Sequence, residues 1–159
     1  MYDVTFYFAH HYLEKSDRTI DQMVQAARSG KQNIAEGAAA GNTSKETEIK
    51  LTNVAKASLQ ELLVDYEDFL RVRGLEQWKA DDARLAQTKR ACATHNDSEY
   101  YRKAMPERSA ETIANIAITL IHQTDWLLNK LIEKLEIQFV ENGGVKEQMT
   151  KARKEYRGN

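Results

Sequence analysis

Four histidines and one cysteine could bind a metal ion or take part in catalysis: His10, His11, His95, His122 and Cys92. Helical proteins often hold paired metal ions with Glu-x-x-His motifs, so a glutamate three places before a histidine would indicate such a site. The residues at those places are Tyr7, Phe8, Cys92 and Thr119. Cys92 and His95 have a ligand-like separation, but structural zinc needs four ligands and there is no second pair. We therefore expect no metal and no cofactor.

A second pattern, Arg90-x4-His95, could serve the cleavage of nucleic acid and resembles the active-site motif of HEPN ribonucleases, which are themselves helical bundles. Those enzymes usually place a polar residue after the arginine, where this chain has Ala91. The plainer interpretation is a basic helix end that runs into a loop, and we favour it. A HEPN-like ribonuclease is thus a distant alternative to a protein without catalytic activity.

The basic side chains that could contact phosphate groups fall in two regions of the chain. They are Arg28, Lys31 and Lys45, followed near the end by Lys146, Lys151, Arg153 and Lys154. Because the formal net charge is −1, any binding of nucleic acid would be local. A solvated face is the favoured interpretation of the terminal residues, with RNA contact as the alternative. An acidic cluster is expected to form a solvated or inter-subunit surface. Its members are Glu61, Asp65, Glu67 and Asp68.

The stretch from Asn33 to Gly37 would place polar residues on or beside an apolar helix face. In a structural interpretation, small residues allow a second helix to approach closely; these are Ala35, Gly37 and Ala38. Polar residues would then bond to the neighbouring helix: Asn33 and Glu36, with Arg28 or Lys31 as partners. In a functional interpretation, the same polar groups line the centre of an oligomer. We favour the structural interpretation, because buried polar residues in bundles more often fix register.

Apolar residues recur at helical spacing through most of the chain, and Pro106 is the only proline. Long helices are predicted over about residues 1–15, 17–40, 44–73 and 109–142. Ser16 or Asp17 is expected to cap the second, and Thr43 or Ser44 the third. We predict an all-α fold, an antiparallel up-and-down four-helix bundle over residues 1–142. The connection 75–108 would hold an extra short helix from Lys79 to Ala93, and residues 143–159 would form a basic, mobile tail.

The last long helix has a wider apolar face than one antiparallel neighbour needs. One line is Ile113, Ile116, Ala117, Leu120, Thr124, Leu127, Leu131, Leu135 and Phe139, and beside it lie Ile118, Ile121, Leu128 and Ile132. The excess width predicts self-association into a homo-oligomer. The first helix begins at Met1 without a capping residue, so we expect the natural protein to carry a longer first helix.

Two segments of the first half resemble a known family. Residues 25–37, with the sequence QAARSGKQNIAEG, precede Ser44-Lys45 and then residues 55–62, with the sequence AKASLQEL. They are similar to the four-helix-bundle family that includes the 23S rRNA intervening-sequence proteins. The likeness covers Asp3 to Leu70, Ser109 to Gly144 resembles the suffix-domain variant, and residues 76–108 have no counterpart. The motif positions carried over are Arg28, Asn33, Glu36, Gly37, Ser58 and Glu61.

The resemblance implies an antiparallel four-helix bundle that assembles into ring-shaped homo-oligomers, commonly pentamers, without catalytic activity. Founding members are encoded within insertions in ribosomal RNA genes, and a similar accessory protein of retroelements binds RNA and a reverse transcriptase. We therefore expect a homo-oligomeric scaffold or adaptor for a partner protein, with an RNA-binding accessory protein as the alternative. The lone cysteine and the lack of an apolar run approaching ~20 residues predict a cytoplasmic protein without membrane contact.

Overall fold

A computed structural model describes residues 1–41, 43–95 and 97–158. Asn42, Asn96 and Asn159, which fall within the predicted bundle, connection and tail, lie outside the described residues. The described part is all-α and has no β-strand, as predicted. Its helices are α1 (Tyr2–Tyr12), α2 (Thr19–Ala40), α3 (Lys45–Val72), α4 (Ala83–Thr94), α5 (Ser98–Ala104), α6 (Ala110–Asn142) and α7 (Val145–Arg157), with a 3₁₀ turn at Met105–Glu107. None of them, over these ranges, combines the length and apolar character that crossing a membrane requires.

Serine side chains cap the two longest helices. The hydroxyl of Ser44 accepts the backbone N–H of Thr47 at 3.2 Å, and that of Ser109 accepts the N–H of Thr112 at the same distance. Each bond satisfies a backbone donor that a helix start leaves unpaired. Of the two residues predicted to cap α3, Thr43 and Ser44, it is Ser44 that serves.

The boundary between α1 and α2 differs from the prediction by a few residues. Helix α1 ends at Tyr12, because Leu13 is extended and buries its side chain in the core. Helix α2 begins at Thr19, whose backbone N–H is accepted by Asp17 Oδ1 at 2.8 Å. The N-cap residue is Arg18, so neither Ser16 nor Asp17 holds the predicted cap position, although Asp17 pairs the first N–H of the helix.

One hydrophobic core contains side chains of α1, α2, α3 and α6, together with Cys92 of α4 and Tyr101 of α5. Helix α2 packs along α3, α3 packs along α6, and α1 lies against both α2 and α6. At the centre, the Phe8 ring contacts the rings of Tyr66 and Phe69 at centroid separations of 4.9 and 4.7 Å. The Tyr66 hydroxyl, fully buried, donates to Thr5 Oγ1 at 3.0 Å, so this bond ties α3 to α1 and pairs the hydroxyl.

Paired contacts show the relative directions of the long helices. Ser29 of α2 meets Ser58 of α3, and eight residues later on α2 the Gly37 position faces Glu48, ten residues earlier on α3. These two helices are therefore antiparallel. In α6, Asn129 Oδ1 accepts from Lys56 Nζ of the same α3.

The segment between α3 and α6, which has no counterpart in the family that the chain resembles, folds back onto α6. Asn115 of α6 accepts the backbone N–H of Trp78 at 2.8 Å and donates to the carbonyl of Glu76 at 2.8 Å. Trp78 is consequently buried against α6. The predicted short helix begins at Ala83 rather than Lys79, since Asp82 Oδ1 caps it by accepting the Arg84 N–H at 2.7 Å. Helix α5, which the sequence did not predict, packs on α1.

The buried line of α6 is rotated from the predicted one. The buried apolar residues, all but Ala114 from the two predicted lines, are Ile113, Ala114, Ala117, Ile118, Ile121, Leu128 and Leu135. Leu127, assigned to the buried line, is 59% exposed, so that part of the prediction was wrong. A helix that is apolar around most of its circumference has no unique buried side by periodicity alone.

The tail also has regular structure that the sequence did not predict. Gly143 ends α6 with a φ of 73°, a backbone conformation that glycine adopts without strain. Helix α7 then begins, and the carboxylate of Glu147 accepts the N–H of Gly144 at 2.6 Å. This bond replaces a side-chain cap, which glycine cannot supply.

Candidate interaction surfaces

Asn33 and Ser58 are two of the positions carried over from the family resemblance. They are linked through Ser29, which is not one of those positions. Ser29 Oγ lies 2.8 Å from Ser58 Oγ across the interface between α2 and α3. Asn33 Nδ2 donates to the Ser29 carbonyl at 2.9 Å and to its hydroxyl at 3.2 Å. Ser58 also donates to the Val54 carbonyl at 3.1 Å. These polar groups satisfy one another, so their role is to fix how α2 and α3 align.

Glycines, more than alanines, set the close approach of these two helices. A Cβ atom at Gly30 would stand 3.1 Å from Leu59 Cδ2, and one at Gly37 would stand 3.3 Å from the nearest side chain of α3. Ala35 and Ala38, predicted to allow the close approach, are exposed instead. The prediction was therefore right for Gly37 only, and it missed Gly30.

The remaining motif residues do not join this network. Arg28, Glu36 and Glu61 are exposed, and within the described ranges none of them forms an ion pair or a side-chain hydrogen bond. The predicted partnership of Glu36 and Asn33 with Arg28 or Lys31 was wrong, because Lys31 Nζ lies over the Tyr2 ring, 4.9 Å from its centroid. The motif thus divides into an interfacial part and a solvent-facing part.

The predicted phosphate-contacting residues are not gathered in one patch. Arg28 and Lys45 lie far apart. Arg28 is next to Ser29, which contacts Ser58, and Ser58 lies thirteen residues, or ~20 Å, along α3 from Lys45. Lys45 Nζ is already held by the carboxylate of the buried Glu48 at 2.8 Å. Lys151, Arg153 and Lys154 lie on α7 and are exposed. The side chain of Lys146 lies outside the described part.

Arg90, Cys92 and His95, which belong to the ribonuclease-like segment, lie in three different environments. Cys92 is buried, and burial raises the pKa of its thiol. The ring of His95 stacks on that of Tyr100 with centroids 3.7 Å apart, at the end of α4, while Arg90 is exposed. Over the described ranges, no group of three or more His, Cys, Asp and Glu side chains is placed to hold a metal ion.

The outer face of α6 changes character halfway along the helix. In its first half Asn115 and Thr119 are covered by the returning segment and are each 2% exposed. Beyond that cover, Trp126, Ile137 and Val140 continue the same face and are 60%, 58% and 82% exposed. Their spacing of eleven and three residues keeps them on one side of the helix. We name these three residues the open α6 face.

A groove of about 860 Å³ lies between α4 and α6 and leads to the open α6 face. Its apolar lining includes Leu85, Ala93, Ile118, Trp126 and Leu127. The exposed Trp126 and Leu127 form its rim, where α4 no longer covers α6. Trp126 therefore belongs both to the groove and to the open α6 face, and the exposed ion pair of Lys130 with Glu133 lies between Trp126 and Ile137 on the same side of the helix.

The outer face of α3 alternates valines with acids. Val54, Val64 and Val72 are 42%, 54% and 71% exposed. Glu61 and Asp65 lie among them, and burial, followed by repulsion from Asp68 and Glu61, raises the pKa of the Asp65 carboxyl. Of the predicted acidic cluster, Glu67 turns away and accepts a bond from Gln77 at 3.0 Å. The other three acids share the valine face.

Comparisons with protein-family models, with curated proteins and with solved structures find no match. The exposed apolar residues of α3 and α7 are not among the interaction residues predicted from the sequence. Their helical spacing was the signal that could have found them.

Proposed function

We propose that this protein is a non-catalytic, homo-oligomeric scaffold or adaptor whose α1, α2, α3 and α6 form an antiparallel four-helix bundle. The contacts of α1 with α2, α2 with α3, α3 with α6 and α6 with α1 support that arrangement, because they close a circuit round one core. The observation that carries the oligomer is the open α6 face.

The open α6 face exposes three large apolar side chains, with the ion pair of Lys130 and Glu133 between the first and the second. Full burial of a large apolar side chain contributes roughly 1.5–3 kcal/mol relative to leaving it exposed. Burial of three such side chains does not by itself stabilise an interface, because association costs about 4–15 kcal/mol in lost translational and rotational freedom. The interface must therefore extend into the adjoining groove or be joined by a second contact.

The resemblance to the intervening-sequence family favours a ring, commonly of five subunits. A ring forms when one surface of each copy binds a different surface of the next and the rotation closes. Exposed apolar residues on two separate helices, α3 and α6, are compatible with such head-to-tail contact.

The absence of catalysis is part of the proposal. The side chains of the ribonuclease-like pattern support it, because Cys92 is buried and His95 is stacked on Tyr100 while Arg90 points to solvent. If the protein cleaved RNA and His95→Ala abolished the cleavage, this part of the proposal would be overturned.

Light scattering and sedimentation velocity across a concentration series test the oligomer. We expect the parent to give one discrete oligomer and Val140→Lys to shift it towards monomer, because the new charge would be buried in the interface. Ala80→Lys is the matched control, since it adds the same charge at an exposed loop residue. A well-behaved parent monomer overturns the proposed function, and equal behaviour of the two variants excludes the open α6 face as the interface.

RNA binding is a second candidate, and the charge of α7 is the observation that favours it. Lys151, Arg153, Lys154 and Arg157 are exposed along a single helix. Binding through these residues would weaken steeply as salt is added, because their positive charges displace counterions from the phosphate groups of RNA. Affinity that is absent at low salt, or that does not depend on salt, would exclude this function.

A further inference from the structure

Helix α7 carries an apolar stripe that is uncovered. Val145, Met149 and Tyr156 are 41%, 50% and 87% exposed, and Ala152 between them is exposed as well. Steps of four, three and four residues put all four on one side of a helix. We name them the α7 stripe. Such spacing is the pattern by which one helix packs on another.

The outer face of α3 has a row with matching spacing. It consists of Val54, Ala57, Glu61, Val64, Asp68 and Val72, and every member is exposed. We name this set the α3 row. Its steps are three and four residues, so the row is a nearly straight line along the helix surface. A helix that packs on this line would cover valines and meet carboxylates.

The charges of the two helices are opposite. Helix α7 has five positive residues, Lys146, Lys151, Arg153, Lys154 and Arg157, and two negative ones, Glu147 and Glu155, which leaves +3. On the α3 side, Glu61 and Asp65 form no ion pair within the described ranges, whereas Asp68 is held by Arg71 at 2.6 Å.

The spacing of the charges also agrees. Arg153 and Arg157 are four residues apart on one flank of the α7 stripe, and Glu61 and Asp65 are four residues apart on and beside the α3 row. Two arginines can therefore meet two carboxylates in one alignment. Arginine is well suited to such pairs because its planar donors match a carboxylate.

The α7 of the same copy is too short to cover this part of α3. Val145 and Ser44 line one small cavity, so α7 starts beside the first turn of α3. Glu61 lies sixteen residues from Lys45, which is ~24 Å along α3, and Val72 lies ~40 Å along it. The thirteen residues of α7 span only ~20 Å even if the helix folded back along α3.

We propose that the α7 stripe of one copy docks on the Glu61–Val72 part of the α3 row of a second copy, with Arg153 and Arg157 facing Glu61 and Asp65. This inference rests on the proposed function, because it supplies the second contact that the open α6 face needs. Each copy gives one α7 and accepts another, a head-to-tail contact of the kind that closes rings.

Charge reversal tests the docking with sedimentation velocity as the measurement. We expect Arg153→Glu with Arg157→Glu to lower the oligomer fraction at least tenfold, because two attractive pairs become repulsive. Glu61→Arg with Asp65→Arg should have the same effect. The chain that carries all four changes should regain the parent size, since the pairs are restored with reversed sign.

The matched control is Lys151→Glu with Lys154→Glu, which changes the charge of α7 equally but lies away from the α7 stripe. This variant should keep the parent size. Circular dichroism of every variant should equal that of the parent, because all the substituted residues except the half-buried Asp65 are exposed.

The outcomes separate this inference from the proposed function. A parent oligomer that survives every charge reversal overturns the docking and leaves the homo-oligomer standing, whereas a parent monomer removes both. Failure of the four-change chain to recover, or a control as weak as the α7 reversal, also overturns the docking. A parent that becomes monomeric on nuclease treatment assigns α7 to RNA and overturns it too.

Discussion

The side-chain amide of Asn115 binds the backbone N–H of Trp78 at 2.8 Å across thirty-seven residues of chain. The same amide donates to the carbonyl of Glu76 and to that of Glu111 in its own helix, at 2.8 and 2.9 Å. One buried asparagine thereby anchors the returning segment to α6. Without it, the backbone N–H of Trp78 would lose its partner in a buried place, and the carbonyl of the exposed Glu76 would lose one as well.

We predict that Asn115→Ala lowers the free energy of unfolding by about 1–3 kcal/mol, because the buried N–H of Trp78 is left unpaired. Urea titration measures the loss. In a Trp126→Phe background the fluorescence reports Trp78 alone, since the chain has two tryptophans, and its emission should shift to longer wavelength.

Asn53→Ala is the matched control for Asn115→Ala. Asn53 is exposed and bonds only to the Ile49 carbonyl in its own helix at 3.0 Å, so its loss should change stability by no more than about 0.5 kcal/mol. Equal stability of the two variants, with the Trp78 emission unchanged, would contradict the anchoring role of Asn115.

The close approach of α2 to α3 gives a second prediction. Gly30→Val should destabilise the fold by about 1–3 kcal/mol, because a larger side chain would be forced against Leu59 in a packed interface. Thermal and urea unfolding measure the change. Ala35→Val places the same side chain on the exposed side of α2, where we expect only the cost of the lower helix propensity of valine, up to about 0.7 kcal/mol. A larger loss from Ala35→Val would restore the predicted role of Ala35.

The helices of the first half could be predicted from sequence because their local signals agree. For α3, the Ser44 cap, the acidic first turn and the apolar period all indicate the same helix. For α6, the period alone left the buried side undecided, and Leu127 was placed inwards while the structure exposes it. Which side is covered depends on where the 75–94 segment folds, and a long-range bond to Asn115 decides that.

The candidate residues follow the same division. Asn33 and Ser58 could be singled out by their polar character in an apolar pattern, yet their link through Ser29 needed the register of two helices. The spacing of its apolar residues predicts the α7 stripe, but the excess of positive charge in residues 143–159 favoured a mobile tail. A surface that binds a second copy makes no contact within a single copy. The pairing of the α7 stripe with the α3 row therefore stays a proposal.

Buried Cys92 gives a prediction for alkaline pH. The thiol loses its proton near pH 8.5 in the unfolded chain, whereas burial raises the pKa of the folded thiol above that value. Above about pH 8.5 the unfolded state therefore binds fewer protons than the folded state, and stability falls as pH rises towards the folded pKa. The fall should approach about 1.4 kcal/mol for each pH unit in that window.

Urea unfolding of the parent and of Cys92→Ala between about pH 7 and about pH 10 measures this fall. Burial also raises the pKa values of the Tyr66 and Tyr101 hydroxyls, and the Tyr101 hydroxyl interacts with the Cys92 thiol, so Tyr101→Phe is introduced into both proteins. The difference between the two curves then isolates the thiol, because Tyr66 is present in both. The parent should lose stability faster above about pH 8.5, because only the parent can release a thiol proton on unfolding. Parallel curves would mean that the Cys92 thiol ionises as readily in the folded protein as in the unfolded chain.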